Sequence, residues 1–244
     1  ETGNAAVIGL MLAMLLPATV SWWVVLTGTF LAVVLGKQIY GGIGANPFNP
    51  AVMAMAIMSM AWGALLDFDI ALVHYDFGYT MLYPLGALKA FGVAGIESFS
   101  YLDLLLGRQA GGLGSTFGLG LIIGGLYLIA RGFIRWEIAG SFLAGVLVTA
   151  LLFNMSDPGQ YADPIFHLLT GYTLIGAFFL ATEDASSPVN PIPMLIYGAG
   201  GGVLTVLIRN IGNYPDGVMF AILLMNAINP LLDRIRPQAI GKVG

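Results

Sequence analysis

The sequence predicts an all-α polytopic membrane protein built as two inverted halves with broken or half helices. Three observations predict it. Of 244 residues, 58% are hydrophobic and 9% charged, with a mean hydropathy of +0.87, whereas roughly 25% of a soluble domain is charged. The apolar residues fall in runs without strand-like alternation, which argues against a transmembrane barrel. A stretch rich in glycine, proline and asparagine, 36–50, interrupts those runs and has an echo at 210–217.

Run 5–16 is too short to span and stops at Pro17, so it reads as a half-helix or the end of a longer one. Run 20–36 spans, with Trp22 and Trp23 anchoring its outer end. The stretch after it, Gly-Lys-Gln-Ile-Tyr-Gly-Gly-Ile-Gly-Ala-Asn-Pro-Phe-Asn-Pro, cannot continue a helix. Its end starts one, with Asn49 as cap and Pro50 at the first helical position. Broken backbone at membrane depth must be buried by protein or line a cavity; the alternative is a tight turn at the bilayer surface. The helix N-terminus opening there suits an anionic or carbonyl-rich ligand. Run 51–66 follows. Segment 67–115 is the longest non-apolar stretch, and runs 118–131, 139–153, 164–181, 194–208 and 218–232 read as further membrane helices. Residues 1–244 thus form a single transmembrane domain, with 67–115 an outer-face segment within it.

Arg131 and Arg135 flank one short loop, Arg234, Arg236 and Lys242 follow the last helix, and Asp157 and Asp163 occupy a loop without basic residues. The positive-inside rule then puts the C-terminus in the cytoplasm and the 157–163 loop outside. Val7-Ile8-Gly9-Leu10 is echoed by Leu174-Ile175-Gly176-Ala177, and each is followed by prolines and a span ending in a basic residue, Lys37 or Arg209. By crossing count the halves are inverted, a transporter design with its site at the repeat interface. The alternative is chance similarity among apolar helices.

The chain has no cysteine, which excludes disulfides, thiolate catalysis and cysteine-ligated zinc or iron–sulfur sites within it. With two histidines, His74 and His167, no dedicated metal site is expected, and a net charge of −4 without a basic patch argues against nucleic acid. No soluble nucleotide motif is present, so the chain is not expected to be catalytic alone. Association with other membrane subunits is expected through glycine-rich faces such as 198–202.

Tyr40-Gly41-Gly42-Ile43-Gly44-Ala45-Asn46-Pro47-Phe48-Asn49-Pro50-Ala51 resembles the signature of the RnfD/NqrB family, and the D-type member is the better match. The resemblance recurs at Asp103–Gly107, Gly124–Tyr127, His167–Gly171 and Tyr214–Val218 and covers nearly the whole chain. It implies a subunit of an ion-translocating electron-transport complex, coupling electron transfer between ferredoxin and NAD to Na+ or H+ movement. It implies membrane, iron–sulfur and flavin-bearing partner subunits in a bacterial or archaeal cytoplasmic membrane, and a further N-terminal region.

Family members carry FMN esterified through its phosphate to a threonine, and the matching position here is Tyr83, with Thr80 where the motif's serine belongs. The bulk and apolar surroundings of Tyr83, next to Met81 and Leu82, disfavour a phosphoester there. Three readings stay open: no flavin, a non-covalent flavin, or attachment at Thr80. Arg108 offers a fork to a phosphate or snorkels to headgroups. The resemblance also implies a second flavin, riboflavin, at 41–49 and the echo 213–217. Asn46 and Asn49 would hydrogen-bond its edge or else cap freed backbone, and His167 would tune a redox ligand or serve in packing. Asp103 and Asp216 read as solvated acids near membrane ends, or as guides for a cation. Apart from the family, the same design fits a small-solute channel or transporter, and the loss of the acceptor threonine fits a flavin-less structural subunit.

Overall fold

A computed structural model describes residues 3–68 and 82–235. Among these residues all regular structure is helical: α1 (Asn4–Leu15), α2 (Trp22–Phe30), α3 (Pro50–Ala61), α4 (Pro84–Phe91), α5 (Tyr101–Leu106), α6 (Gly118–Ala130), α7 (Trp136–Ser156), α8 (Pro164–Leu169), α9 (Thr173–Ile175), α10 (Pro191–Ile211) and α11 (Val218–Leu232). A π-helical turn, Leu31–Leu35, carries α2 onward, and a second, Gly176–Leu180, extends α9. Among the described residues three stretches are long and apolar enough to cross a membrane: Trp22–Tyr40, α7 and α10.

The sequence explains most of these boundaries. Proline opens α3, α4, α8 and α10, where its missing N–H costs nothing. α1 stops at Leu16, whose backbone is extended because Pro17 follows. The chain then breaks at Gly41, Gly42 and Gly44, with φ of 108°, 97° and 80°, which only glycine adopts without strain. The Asn49 side chain accepts from the N–H groups of Ala51 at 3.0 Å and Val52 at 3.2 Å, as the cap reading requires.

Run 164–181 corrects the expectation of one helix. α8 ends at Leu169, Gly171 adopts φ +64°, and α9 begins at Thr173. A Cβ on Gly171 would meet Leu85 at 2.6 Å and Arg209 at 2.9 Å, so the break is also where other elements press closest.

α7 and α10 run parallel, side by side. A Cβ on Gly198 would strike Ser141 Oγ and Ile138 O, one on Gly202 would strike Phe142 O, and one on Gly145 would lie 2.6 Å from Ala199 O. The glycine face 198–202 is therefore spent inside the chain, against α7 and Met225, and is not a docking face for another subunit. The sequence shows that something must approach closely there but not what.

Two ends of the molecule can be told apart. At one, Asn49 donates to Leu180 O at 2.9 Å, and Asn226 and Asn229 of α11 donate to Ser186 O. Arg135 and Asp184 line a cavity at this end. At the other, the Tyr172 hydroxyl donates to Leu15 O at 2.6 Å and Trp23 meets Trp62 edge-on at 5.6 Å. α1 runs toward this second end and α9 away from it, so the echoed runs have opposite direction.

Candidate functional site

A cavity of about 480 Å³ opens at the second end. Its wall combines the last turns of α3 (Met55, Ser59), the turn from Gly63 to Phe68, Tyr83 and Gly86 at the start of α4, Tyr172, and Tyr214 to Phe220. Tyr83 is buried, and its ring lies 4.9 Å from that of Phe68. Phe68 also meets Tyr172 at 6.4 Å, and Tyr214 lies 4.5 Å from Phe220. The lining is aromatic and apolar, with two carboxylates, Asp67 and Asp216, and no lysine or arginine among the described residues.

Behind this wall sits a buried ion pair. Arg209 Nη2 lies 3.0 Å from Asp216 Oδ1, with the side chains 1% and 6% exposed. The helix break between α8 and α9 frees carbonyls, and Arg209 takes them. Nη1 donates to His167 O at 2.8 Å, and Nη2 to Thr170 O at 3.2 Å and Thr173 Oγ1 at 2.9 Å. The carboxylate also accepts from Tyr172 N at 2.7 Å and Val218 N at 3.1 Å, which starts α11. One pair thus ties the broken helix, the end of α10 and the start of α11 to the cavity. Asp216 is not the solvated acid expected of a membrane end. Asp103 is, paired at 3.1 Å with a half-exposed Arg108, a contact worth little in water.

The sequence-derived site residues do not all meet. Tyr83 lines the cavity. Thr80, like His74, Arg236 and Lys242, lies outside the described residues. Arg108 faces Asp103 and does not line the cavity. Asn46 and Asn49 sit at the other end of α3, whose 12 residues rise roughly 18 Å. There Asn46 Nδ2 donates to Phe48 O at 3.0 Å and to Glu183 at 3.1 Å, and Asn49 N–H donates to Asn226 Oδ1 at 3.1 Å. Both asparagines satisfy local backbone, and the turns 41–49 and 213–217 stand at opposite ends rather than around one ligand. His167 is fully buried, and its ring nitrogens have no hydrogen-bond partner among the described residues. Its contribution to the ion-pair cluster is its carbonyl.

Sequence reasoning missed Arg209, Tyr172 and Phe68. The first had a signal: a charge inside an apolar span demands a partner, and Asp216 was the nearest acid across the turn. Phe68 and Tyr172 carry none, being aromatics among many.

A model of the family described as "NQR2, RnfD, RnfE family" matches residues 1–241. The D-type component of the "Ion-translocating oxidoreductase complex" of Stutzerimonas stutzeri is 36% identical over 270 residues, covering 98% of this chain and 76% of that protein. The D-type component of the "Na(+)-translocating ferredoxin:NAD(+) oxidoreductase complex" of Acetobacterium woodii is 38% identical over 239 residues, covering 97% and 72%. The corresponding D-type component from Pseudomonas aeruginosa is 36% identical over 265 residues, covering 99% and 75%.

Proposed function

Since the chain belongs to the NQR2, RnfD, RnfE family, we propose that it is the D-type membrane component of an ion-translocating complex that couples electron transfer between ferredoxin and NAD to movement of Na+ or H+. The observation that carries this reading is the similarity to the Acetobacterium woodii protein over 97% of the chain. The chain works with iron–sulfur- and flavin-bearing partners, because its own residues offer neither a thiolate nor a nucleotide motif. Copurification of the assembled complex, with ferredoxin-dependent NAD reduction lost when this subunit is deleted, tests it.

The cavity fits a flat, largely apolar ring by size and by its aromatic wall. It does not fit the phosphate of FMN, since Asp67 and Asp216 line it and no cation among the described residues does. Tyr83 is packed against Phe68 as part of the wall. A flavin held here is therefore non-covalent at Tyr83, with Tyr83, Tyr172 and Phe68 shaping its slot and Asp216 fixed by Arg209 at the edge. Such a ring would supply one- and two-electron transfer. Mass spectrometry of the peptide spanning residues 76–89 will find Tyr83 unmodified. An FMN mass on Tyr83 overturns this, and one on Thr80 places the acceptor three residues earlier.

The protein lies in the cytoplasmic membrane with its C-terminus in the cytoplasm. Arg135 and Arg234 belong to one end of the helices and Asp157 and Asp163 to the other, as the positive-inside rule asks. Reporter fusions after Arg234 will read cytoplasmic and fusions at 157–163 external; the reverse pattern inverts the orientation.

A further inference from the structure

A second cavity, about 270 Å³, lies at the opposite end from the first, between the start of α7, the turn 182–189 and the first turn of α10. Arg135, Thr182, Asp184 and Ser187 bring its polar groups, beside apolar Ile138 and Met194. It thus carries one guanidinium and one carboxylate, whereas the charged residues lining the first cavity are both carboxylates. We infer that this cavity seats the headgroup of an aminophospholipid, with the phosphate toward Arg135 and Ser187 and the ammonium toward Asp184. The inference is independent of any flavin and of which side of the membrane this end faces.

The deciding group is Ser187. It is 7% exposed, and its hydroxyl makes no hydrogen bond among the described residues, although buried polar groups are nearly always satisfied. The Ser187 oxygen is not among the unpartnered polar atoms shut off from solvent, so it opens into the cavity that Ser187 lines. The turn that presents it is already fixed. Glu183 O accepts from Ser186 N at 3.3 Å and Ser187 N at 3.2 Å, and Ser186 O accepts from Asn226 at 3.0 Å and Asn229 at 3.1 Å. Binding therefore does not have to order it.

Neither charged group is neutralised within the described residues, whose ion pairs are Arg108–Asp103 and Arg209–Asp216. Arg135 and Asp184 are both exposed, so a direct pair between them would add little in water. A ligand bearing both charges meets each of them with charge-assisted hydrogen bonds. The anion belongs on the Arg135 side. Arg135 is the N-cap of α7, whose first-turn N–H groups and helix dipole favour negative charge. Glu137 shares that turn but does not line the cavity.

Depth points to a lipid. α7 and α10 each have 21 residues, roughly 31 Å of rise, close to the hydrocarbon thickness. Their first residues, and the cavity between them, therefore lie at headgroup level. Trp136, next to Arg135, and Val189, in the cavity wall, are exposed, as an interfacial anchor and a lipid-facing residue would be. A free zwitterion from solution would meet the same charges, but this apolar flank favours one that brings acyl chains.

The test uses the assembled complex carrying the full-length protein, in nanodiscs of mixed phosphatidylethanolamine, phosphatidylglycerol and phosphatidylcholine, with native mass spectrometry reading the retained lipid. The wild type will retain phosphatidylethanolamine over both others. Phosphatidylglycerol has no cation for Asp184, and the choline group cannot donate to it. Asp184→Asn, at an exposed and unpaired position, will assemble and will shift the preference severalfold toward phosphatidylglycerol, because Arg135 is left unopposed. Arg135→Gln will weaken phosphatidylethanolamine retention about tenfold, the loss of a charge-assisted hydrogen bond, and Ser187→Ala will weaken it severalfold. If Arg135→Gln does not insert, Asp184→Asn carries the test, since a merely structural role would lower retention of all three lipids together. Equal retention of the three lipids by the wild type, or an unchanged preference in Asp184→Asn, overturns the inference. So does a wild type that prefers phosphatidylglycerol, which makes this an anion site only, or one that binds free phosphoethanolamine by calorimetry without any lipid preference.

Discussion

Replacing Asp216 with asparagine will destabilise the protein by about 3–5 kcal/mol, the usual cost of leaving a buried charge without its partner. Every group facing the Asp216 carboxylate is a donor: Arg209 Nε at 3.3 Å and Nη2 at 3.0 Å, Val218 N at 3.1 Å and Tyr172 N at 2.7 Å. An asparagine turns one acceptor into a donor, so it loses the charge and sets N–H against N–H. The damage reaches three elements, because the pair holds the α8–α9 break, the end of α10 and the start of α11. Thermal unfolding of the purified complex, followed with the yield of assembled protein, measures it. Arg209→Met will be comparably harmful, since it also frees the carbonyls of His167 and Thr170. Combining the two changes will cost less than their sum, because the unpaired charge is gone. Strict additivity, or an Asp216→Asn variant as stable as the parent, removes the pair from its central place.

Gly202→Val will abolish stable assembly or cost at least about 3 kcal/mol, at or beyond the upper range for overpacking. The reason lies in what a side chain would strike: Phe142 O, Val146 N at 2.7 Å and the carbonyl carbon of Gly145 at 3.0 Å. These are backbone atoms of α7, which cannot rotate away, so α7 and α10 must separate. Gly9→Ala serves as the control. A Cβ there meets nothing within 4 Å, and alanine should be neutral or stabilise α1 by up to about 1 kcal/mol. Equal melting temperatures for the Gly202 variant and the control would show that the α7–α10 contact is not the rigid spine of the fold.

What could be read from the sequence was what is decided locally. The Asn49 cap, the prolines that open helices and the glycine break at 41–44 depend on neighbours a few residues away. The direction of the echoed runs followed from counting crossings. The break at 170–171 was hidden because the residues around it are apolar and helix-compatible; what stabilises the broken form arrives from Arg209, some forty positions away. The glycines at 198–202 announced a close approach, but a sequence does not say whether the neighbour belongs to the same chain. Tyr83 could be singled out from its place in the sequence, whereas the cavity it lines required Phe68, Tyr172 and Pro215 to be placed in space. The two candidate ligand turns were grouped as corresponding parts of a repeat, and inversion is what put them at opposite ends.

The edge-on contact between Trp23 and Trp62 has an optical consequence. Three of the four tryptophans, Trp22, Trp23 and Trp62, gather at the end where the large cavity opens, while Trp136 starts α7 at the far end. Trp62 immediately precedes the Gly63–Leu66 turn that forms part of the cavity wall. Any occupant that absorbs in the near ultraviolet, where tryptophan emits, will drain emission from this cluster by energy transfer, and will leave Trp136, across the bilayer, much brighter. The protein thus contains its own fluorescent gauge, in which a Trp136→Phe variant would report the cavity end with no added dye.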